Sequence, residues 1–410
     1  MKQTRAYWGH RDKIIAAIAL FLLGVVAGML RHTTAVADAL SLPSSRPAIQ
    51  SGFSRRVWVG EPQLLGYFEH PADVQVLALP SGAVHVVWED GGWIYHAWQE
   101  PDGVWHAPTR IFFGITPAVA FDQDNVIHMV FVAKVVGNYE IYYTSFRDGH
   151  WSWPRPISFT PGASYSPRLA VTISPKGELH VVWNDTSKGR DIIYHAVFDH
   201  DRNIWLNAPL PSARGKSPII YVDREGTFHV VWQGPDADGV RNVFYMYCQG
   251  GRWALPRNVS HSTHPSTGAQ SVLDSQENIH IVWKEMTYAG NAMYYTVGRG
   301  DHWLRPERIT VGHVDHVGVA TSEHGHFVHI WWYDGETWWE QWRPVNAPAW
   351  SARIPLTQQT AAQIYIRFAL ENDERLRAIW NIQTSNGTEV WYGEASTPVR
   401  QKFRFPYMLH

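Results

Sequence analysis

One five-residue strand, Leu179-His180-Val181-Val182-Trp183, is restated along the whole chain, and nothing else in the sequence constrains the fold as strongly. Its copies are Val84-His85-Val86-Val87-Trp88, Ile127-His128-Met129-Val130-Phe131, Phe228-His229-Val230-Val231-Trp232, Ile279-His280-Ile281-Val282-Trp283 and Val328-His329-Ile330-Trp331-Trp332. A degenerate seventh copy is Leu376-Arg377-Ala378-Ile379-Trp380. Successive copies lie 43, 52, 49, 51, 49 and 48 residues apart. A period of about 50 residues with strand-like content marks a repeat architecture of the β-propeller kind.

The third repeat serves as the type. A first strand, Ser166 to Ile173, ends in the turn Ser174-Pro175-Lys176-Gly177, and Leu179 to Trp183 is a short valine-rich run of the sort buried strands show. The polar stretch Asn184 to Arg190 is a loop, Asp191 to Phe198 a third strand, and Trp205 to Leu210 a fourth. Four antiparallel strands per repeat make a propeller blade. Fourth strands recur as Trp, then Pro and an aliphatic residue, as in Trp105…Pro108…Ile111, Trp253…Pro256…Val259 and Trp303…Pro306…Ile309. The last repeat lacks one, whereas Trp58 to Leu65 supplies one before the first repeat. The expected fold is therefore all-β, a seven-bladed propeller over residues 57–400 whose ring is closed by the N-terminal strand. Closure of that kind removes exposed sheet edges.

The N-terminus reads as an address. Lys2, Arg5, Arg11 and Lys13 precede an uncharged apolar run of 17 residues, Ile14 to Leu30. Such a run sits at the lower limit for a membrane-spanning helix, and the basic residues before it predict export of the repeats. Ala35-Val36-Ala37 offers a signal-peptidase site, so residues 1–31 are a signal peptide or a retained anchor. Residues 32–56, rich in Ser, Ala, Thr and Pro, read as a flexible linker, and residues 401–410 as a tail.

Composition narrows the partners. A formal net charge of -2 with 18% charged residues leaves no basic stripe for nucleic acid. Cys248 is the single cysteine, so no intrachain disulfide forms. No phosphate loop, Cys-x-x-Cys, nucleophile elbow or His-Glu-x-x-His is present, and no cofactor is expected.

The turns Pro101-Asp102-Gly103-Val104-Trp105, Asp148-Gly149-His150-Trp151, Gly250-Gly251-Arg252-Trp253 and Gly300-Asp301-His302-Trp303 resemble worn Asp-box (BNR) turns of the bacterial sialidase-like propellers. The resemblance covers about residues 57–395. It implies the propeller fold and one of three roles known for such propellers: glycosidase, lectin or non-enzymatic scaffold. Sialidases of the family grip a carboxylate with three arginines and carry an Arg-Ile-Pro motif near the first blade. Here Arg353-Ile354-Pro355 falls in a fourth strand of the sixth repeat, and Arg168 and Arg367 sit in inner strands without a matching third. The catalytic motifs are not matched.

The six repeated histidines lie one per blade, and a tetrahedral metal site needs its ligands about 2.0–2.1 Å from one ion. A repeated hydrogen bond inside each sheet accounts for them better. The tryptophans ending second strands and starting fourth strands are likewise read as packing between blades. Off that register, Trp331, Tyr333, Trp338, Trp339 and Trp342 crowd the sixth repeat and form either a packed strand or a carbohydrate platform. The loops joining second to third strands share a face with the blade-linking loops, and there ligands usually gather. The candidate ligand-binding residues are Glu89, Asp90, Arg168, Asn184, Asp185, Asp236, Lys284, Glu285, Asp334 and Trp338. Asp185 with Asp236, or Glu285 with Asp334, could form the carboxylate pair that a glycosidase needs. Together these features lead to an exported recognition module that binds a glycan or an envelope protein through its loop face. A sialidase-type glycoside hydrolase and a non-catalytic docking scaffold are the alternatives.

Overall fold

The computed structural model describes residues 57–396 except 136, 172–177, 289, 311, 322–325, 357–362, 371–374 and 386. The N-terminal address, the linker and the tail lie outside the described residues. Seven antiparallel sheets follow one another along the chain. Blade I is Ala72–Ala78, Val84–Asp90, Trp93–Gln99 and Trp105–Phe113. Blade II is Ile115–Phe121, Ile127–Val135 and Asn138–Arg147, with an outer strand split into His150–Trp151 and Arg155–Pro156. Blade III is Ser164–Val171, Leu179–Asp185, Ile192–Asp199 and Ile204–Arg214. Blade IV is Lys216–Val222, Phe228–Pro235 and Arg241–Gln249, and blade V is Ser266–Leu273, Ile279–Thr287 and Gly290–Arg299, each with a split outer strand. Blade VI is His316–Thr321, Phe327–Tyr333, Trp338–Pro344 and Ile354–Pro355.

Blade VII joins the two ends of the domain. Gln363–Leu370, Arg375–Thr384 and Gly387–Ser396 are completed on the outside by Val57–Phe68, which pairs antiparallel with the last strand from Val57↔Ser396 to Phe68↔Thr388. The Asn381 and Thr388 side chains then donate to the carbonyls of Pro71 and Glu69, fixing the entry to blade I. The expected closure by the N-terminal strand is what the sheet order shows.

The second strands are covered on both faces by neighbouring blades, which is why they read as unbroken apolar runs. In blade III all seven residues from Leu179 to Asp185 are buried. A polar side chain in such a strand must find a partner, and each blade supplies one from its third strand. His85 Nδ1 meets His96 Nε2 at 3.0 Å, and His180 meets His195 at 3.1 Å. His128, His229 and His280 meet the hydroxyls of Tyr143, Tyr245 and Tyr295 at 2.6–2.8 Å. Their other ring nitrogens face Asp122, Asp223 and Asp274. His329 meets Glu340 at 2.7 Å, and in blade VII Arg377 donates to Tyr392 at 3.0 Å. One buried polar pair per blade accounts for the repeated histidines.

Tryptophans of the outer strands, and Trp350 just ahead of one, stitch blades II to VI each to the blade before it. Trp151, Trp205, Trp253, Trp303 and Trp350 pack on His96, Tyr143, His195, Tyr245 and Tyr295 at centroid distances of 4.7–5.4 Å. Trp105 packs on Tyr392 at 5.0 Å, so the same stitch crosses the closure between blades I and VII. In each case the ring covered is the third-strand partner of a buried polar pair.

The inner strands of blades I to V each break register once near their start. The break coincides with a left-handed residue: Asp73, Thr116, Ser166, Ser217 or Gly268, with φ between 49° and 63°. A β-bulge of this kind leaves one N–H out of the ladder. In blades II, III and IV the next residue is Pro117, Pro167 or Pro218, which has no N–H to leave unpaired.

Candidate functional site

In each blade the start of the inner strand lies beside the end of the second, as Ser164↔Asp185 shows in blade III. The linking loops and the second-to-third-strand hairpins therefore share one face. Most of the acidic residues expected to act there are engaged in holding it together. Asp185 is fully buried and accepts from Thr160 Oγ1 at 2.5 Å, Ser164 Oγ at 2.9 Å and the Ser187 N–H at 2.8 Å. Asp236 accepts the N–H groups of Asp238 and Val240 and the Asn242 amide, which shapes the blade IV hairpin. Asp334 accepts from Thr337, Glu336 and the Trp339 indole. Burial alone would raise its carboxyl, and these donors hold it below the ordinary range instead.

Glu89 takes the Gly92 N–H at 2.6 Å, and burial pushes its carboxyl up. Asp90 takes the His70 N–H at 2.6 Å. Glu285 is buried beside the Trp283 indole, Lys284 Nζ donates to the Asp315 carbonyl, and an Arg168 nitrogen donates to the Pro167 carbonyl. Trp338 is 2% exposed and stacks against Tyr333. The sixth-repeat aromatics are thus a packed strand, with Trp331 also buried and Arg353 lying over the Trp339 ring at 4.3 Å. Arg353 of the Arg-Ile-Pro stretch is spent on that contact. The side chain of Arg367 lies outside the described residues.

A cleft of about 340 Å³ opens on the loop face between blades III and IV. Its walls come from three segments. The blade III hairpin supplies Arg190 and Asp191, the linker and inner strand of blade IV supply Arg214 to Ser217, and the blade IV hairpin supplies Gln233, Gly234, Pro235 and Arg241. Two glycines make its floor possible. A Cβ on Gly234 would lie 2.1 Å from the Arg214 carbonyl oxygen, and one on Gly215 would lie 2.1 Å from that of Gln233. The linker can press against the second strand only because both are glycine. The Trp232 indole then donates to the Arg214 carbonyl at 3.0 Å and the Gly215 N–H to that of Asp191 at 3.1 Å, locking the linker in place.

Four cations face this cleft and one carboxylate. Lys216 Nζ lies 3.2 Å from Asp191, whose other oxygen accepts from the Asn184 amide at 2.9 Å. Arg190, Arg214 and Arg241 are exposed and form no ion pair with any described residue. Of the residues expected from sequence, Asn184 backs this cleft through Asp191 and Asp236 follows its wall at Pro235; Glu89, Asp90, Lys284, Glu285, Asp334 and Trp338 belong to other blades. The cations themselves were missed. The signal was there in Arg214-Gly215-Lys216, a basic doublet around a glycine in a blade-linking loop.

No protein-family model matches the sequence, and no curated protein matches it. Among solved structures the fold is similar to that of the polysaccharide lyase Uly1, with a TM-score of 0.51 at 10% identity over 86% of this chain and 94% of that one. Weaker likenesses are to an ulvan lyase bound to a GlcA(1-4)Rha3S saccharide (TM-score 0.45, 12% identity, 64% of this chain and 76% of that one). The Hadza microbial sialidase Hz136 is comparable (TM-score 0.45, 11% identity, 75% and 73%). At such identities the likeness is one of fold.

Proposed function

We propose that this propeller is an exported recognition module that takes up a saccharide in the cleft between blades III and IV and binds it without catalysis. The observation that carries the reading is the cleft itself, a concavity on the loop face walled by polar side chains from three segments. The engagement of Asp185, Asp236 and Asp334 in holding their own hairpins supports binding over bond cleavage. Export rests on the basic residues and apolar run that open the chain. The test is a glycan array probed with the full-length protein and with Gln233→Trp, which fills the cleft from an extended position of the second strand while keeping its four cations. A saccharide bound by the first and not by the second supports the reading; a saccharide bound equally by both removes the cleft from it.

One observation favours the glycoside hydrolase. Glu140 and Asp185 both take hydrogen bonds from Thr160, and burial together with the Asp185 charge pushes the Glu140 carboxyl up, as a general acid requires. Against this, Ser158 and Asn138 donate to Glu140, and Asp185 has no exposed surface.

A further inference from the structure

Resting on that reading, we infer that the saccharide is polyanionic, with carboxylate or sulfate groups on successive sugars gripped by Arg190, Arg214 and Arg241. The argument begins with charge. The chain as a whole carries a formal net charge of -2, yet this one cleft gathers three arginines and a lysine against a single aspartate. Asp191 is committed to Lys216, which leaves the three guanidiniums without a carboxylate among the described residues. Like charges held within one cleft repel each other over a screening length of about 8–10 Å. An anionic ligand relieves that repulsion. No acidic side chain among the described residues forms an ion pair with any of the three, although Asp236 and Asp238 stand on the adjoining hairpin, where Asp236 turns both its oxygens to groups of its own loop.

Geometry narrows the ligand further. A guanidinium offers a planar fork of N–H donors that matches a carboxylate or a sulfate with two parallel hydrogen bonds, which an ammonium cannot do. The three forks enter from three separate segments: the blade III hairpin, the linker and the blade IV hairpin. A chain crossing the cleft, with its anionic groups spaced along it, can satisfy all three. Ser217, Gln233 and the Lys216–Asp191 pair remain for the neutral hydroxyls, which need donors and acceptors without net charge.

The experiment uses the full-length protein and four probes: polygalacturonate for carboxylate, dextran sulfate for sulfate, neutral dextran, and a single-stranded oligonucleotide. The variants are Arg190→Gln, Arg214→Gln and Arg241→Gln, each with its Arg→Lys partner, and Arg257→Gln as a control whose guanidinium pairs with Asp301 outside the cleft. Each Gln variant is expected to weaken binding of a charged saccharide by about tenfold, the scale of one charge-assisted pair, with Lys restoring part of it. Raising the salt concentration weakens the wild type and weakens a variant with all three Gln substitutions, which keeps only Lys216, much less, and Arg257→Gln binds as wild type. The two charged saccharides tell carboxylate from sulfate. Neutral dextran bound as tightly as the charged probes, and blocked by Gln233→Trp, overturns the charge inference and leaves the cleft reading standing. No binding of any saccharide overturns both. Oligonucleotide bound as tightly as dextran sulfate overturns a saccharide ligand altogether.

Discussion

The Trp105 ring of blade I lies 5.0 Å from the Tyr392 ring of blade VII at an interplanar angle of 65°, so the seam that closes the ring is built like the seams within it. Tyr392 is in turn the hydroxyl that Arg377 holds at 3.0 Å. Trp105→Ala therefore removes an aromatic contact and uncovers a buried polar pair, and should cost about 2–3 kcal/mol. Trp303→Ala, at the seam between blades IV and V, should cost about the same. Urea unfolding of the two variants makes the comparison. A much smaller loss at Trp105 would mean that the closing seam is looser than an internal one.

Closure also depends on Leu65, which the N-terminal strand delivers into a core of Val74, Val86, Trp88, Ile379 and Tyr392. Leu65→Ala should destabilise the domain by about 2–4 kcal/mol, within the range for a buried leucine. Because that core joins blade I to blade VII, unfolding should stay a single transition at a lower midpoint. A separate early transition would show that blade VII opens by itself.

Burial pulls His180 down to about 3, helped by its neighbour His195, and pulls His195 down to about 4, both from 6.5. In blade I burial likewise takes His85 down to about 4. Well above pH 6.5 folded and unfolded chains both hold these imidazoles neutral, and their contribution to stability is flat with pH. As pH falls from about 6.5 toward about 4, the unfolded chain binds protons that the blades refuse. Stability should drop by about 1.4 kcal/mol per pH unit for each such histidine. Thermal unfolding from pH 8 to pH 5 tests this, and His195→Gln should reduce the slope by about one proton. A melting temperature unchanged over that range would refute it.

The fold was legible because its physics is local and repeated. A second strand covered on both faces has to be apolar, a lone polar residue in it has to be paired, and Trp88, Trp183, Trp232 and Trp283 end the run in the same register each time. The third-strand partners were less legible, since His96, Tyr143 and Glu340 share no residue type and only their position is common. The cleft was least legible. Arg190, Arg214 and Arg241 come from three segments and line one cleft, whose linker lies against the second strand because Gly215 and Gly234 let two backbones touch, a relation with no period to reveal it. Acidic loop residues drew attention instead, and Asp185 and Asp334 prove to be braces within their own hairpins.

That distinction can be measured. Asp185→Asn keeps the size of the side chain but removes its charge, and disturbs bonds to Thr160, Ser164 and Ser187. It should cost about 1–3 kcal/mol of stability and leave saccharide affinity at the folded cleft within about twofold, a difference well under one hydrogen bond. Trp338→Ala should cost about 3–5 kcal/mol, since that ring is packed rather than presented. Glu140→Gln speaks to the hydrolase alternative. Loss of a saccharide-cleaving activity in Glu140→Gln and Asp185→Asn, with stability retained, would favour catalysis over binding.

Gly234→Ala separates the shape of the cleft from its charge. Gly234 does not occupy the left-handed region, so alanine adds no backbone strain there and only the contact with the Arg214 carbonyl changes. That contact would fall to 2.1 Å, far inside the packing distance, so the linker must move off the second strand. The Trp232 indole then loses its acceptor at Arg214, and the loss should total about 1–3 kcal/mol. Arg214 and Lys216 move with the linker while keeping their charge. Affinity for a charged saccharide should fall about tenfold or more, with the salt dependence of binding preserved in sign. Unchanged affinity in a destabilised Gly234→Ala protein would show that the cations act as a diffuse patch and that the cleft's shape contributes nothing to recognition.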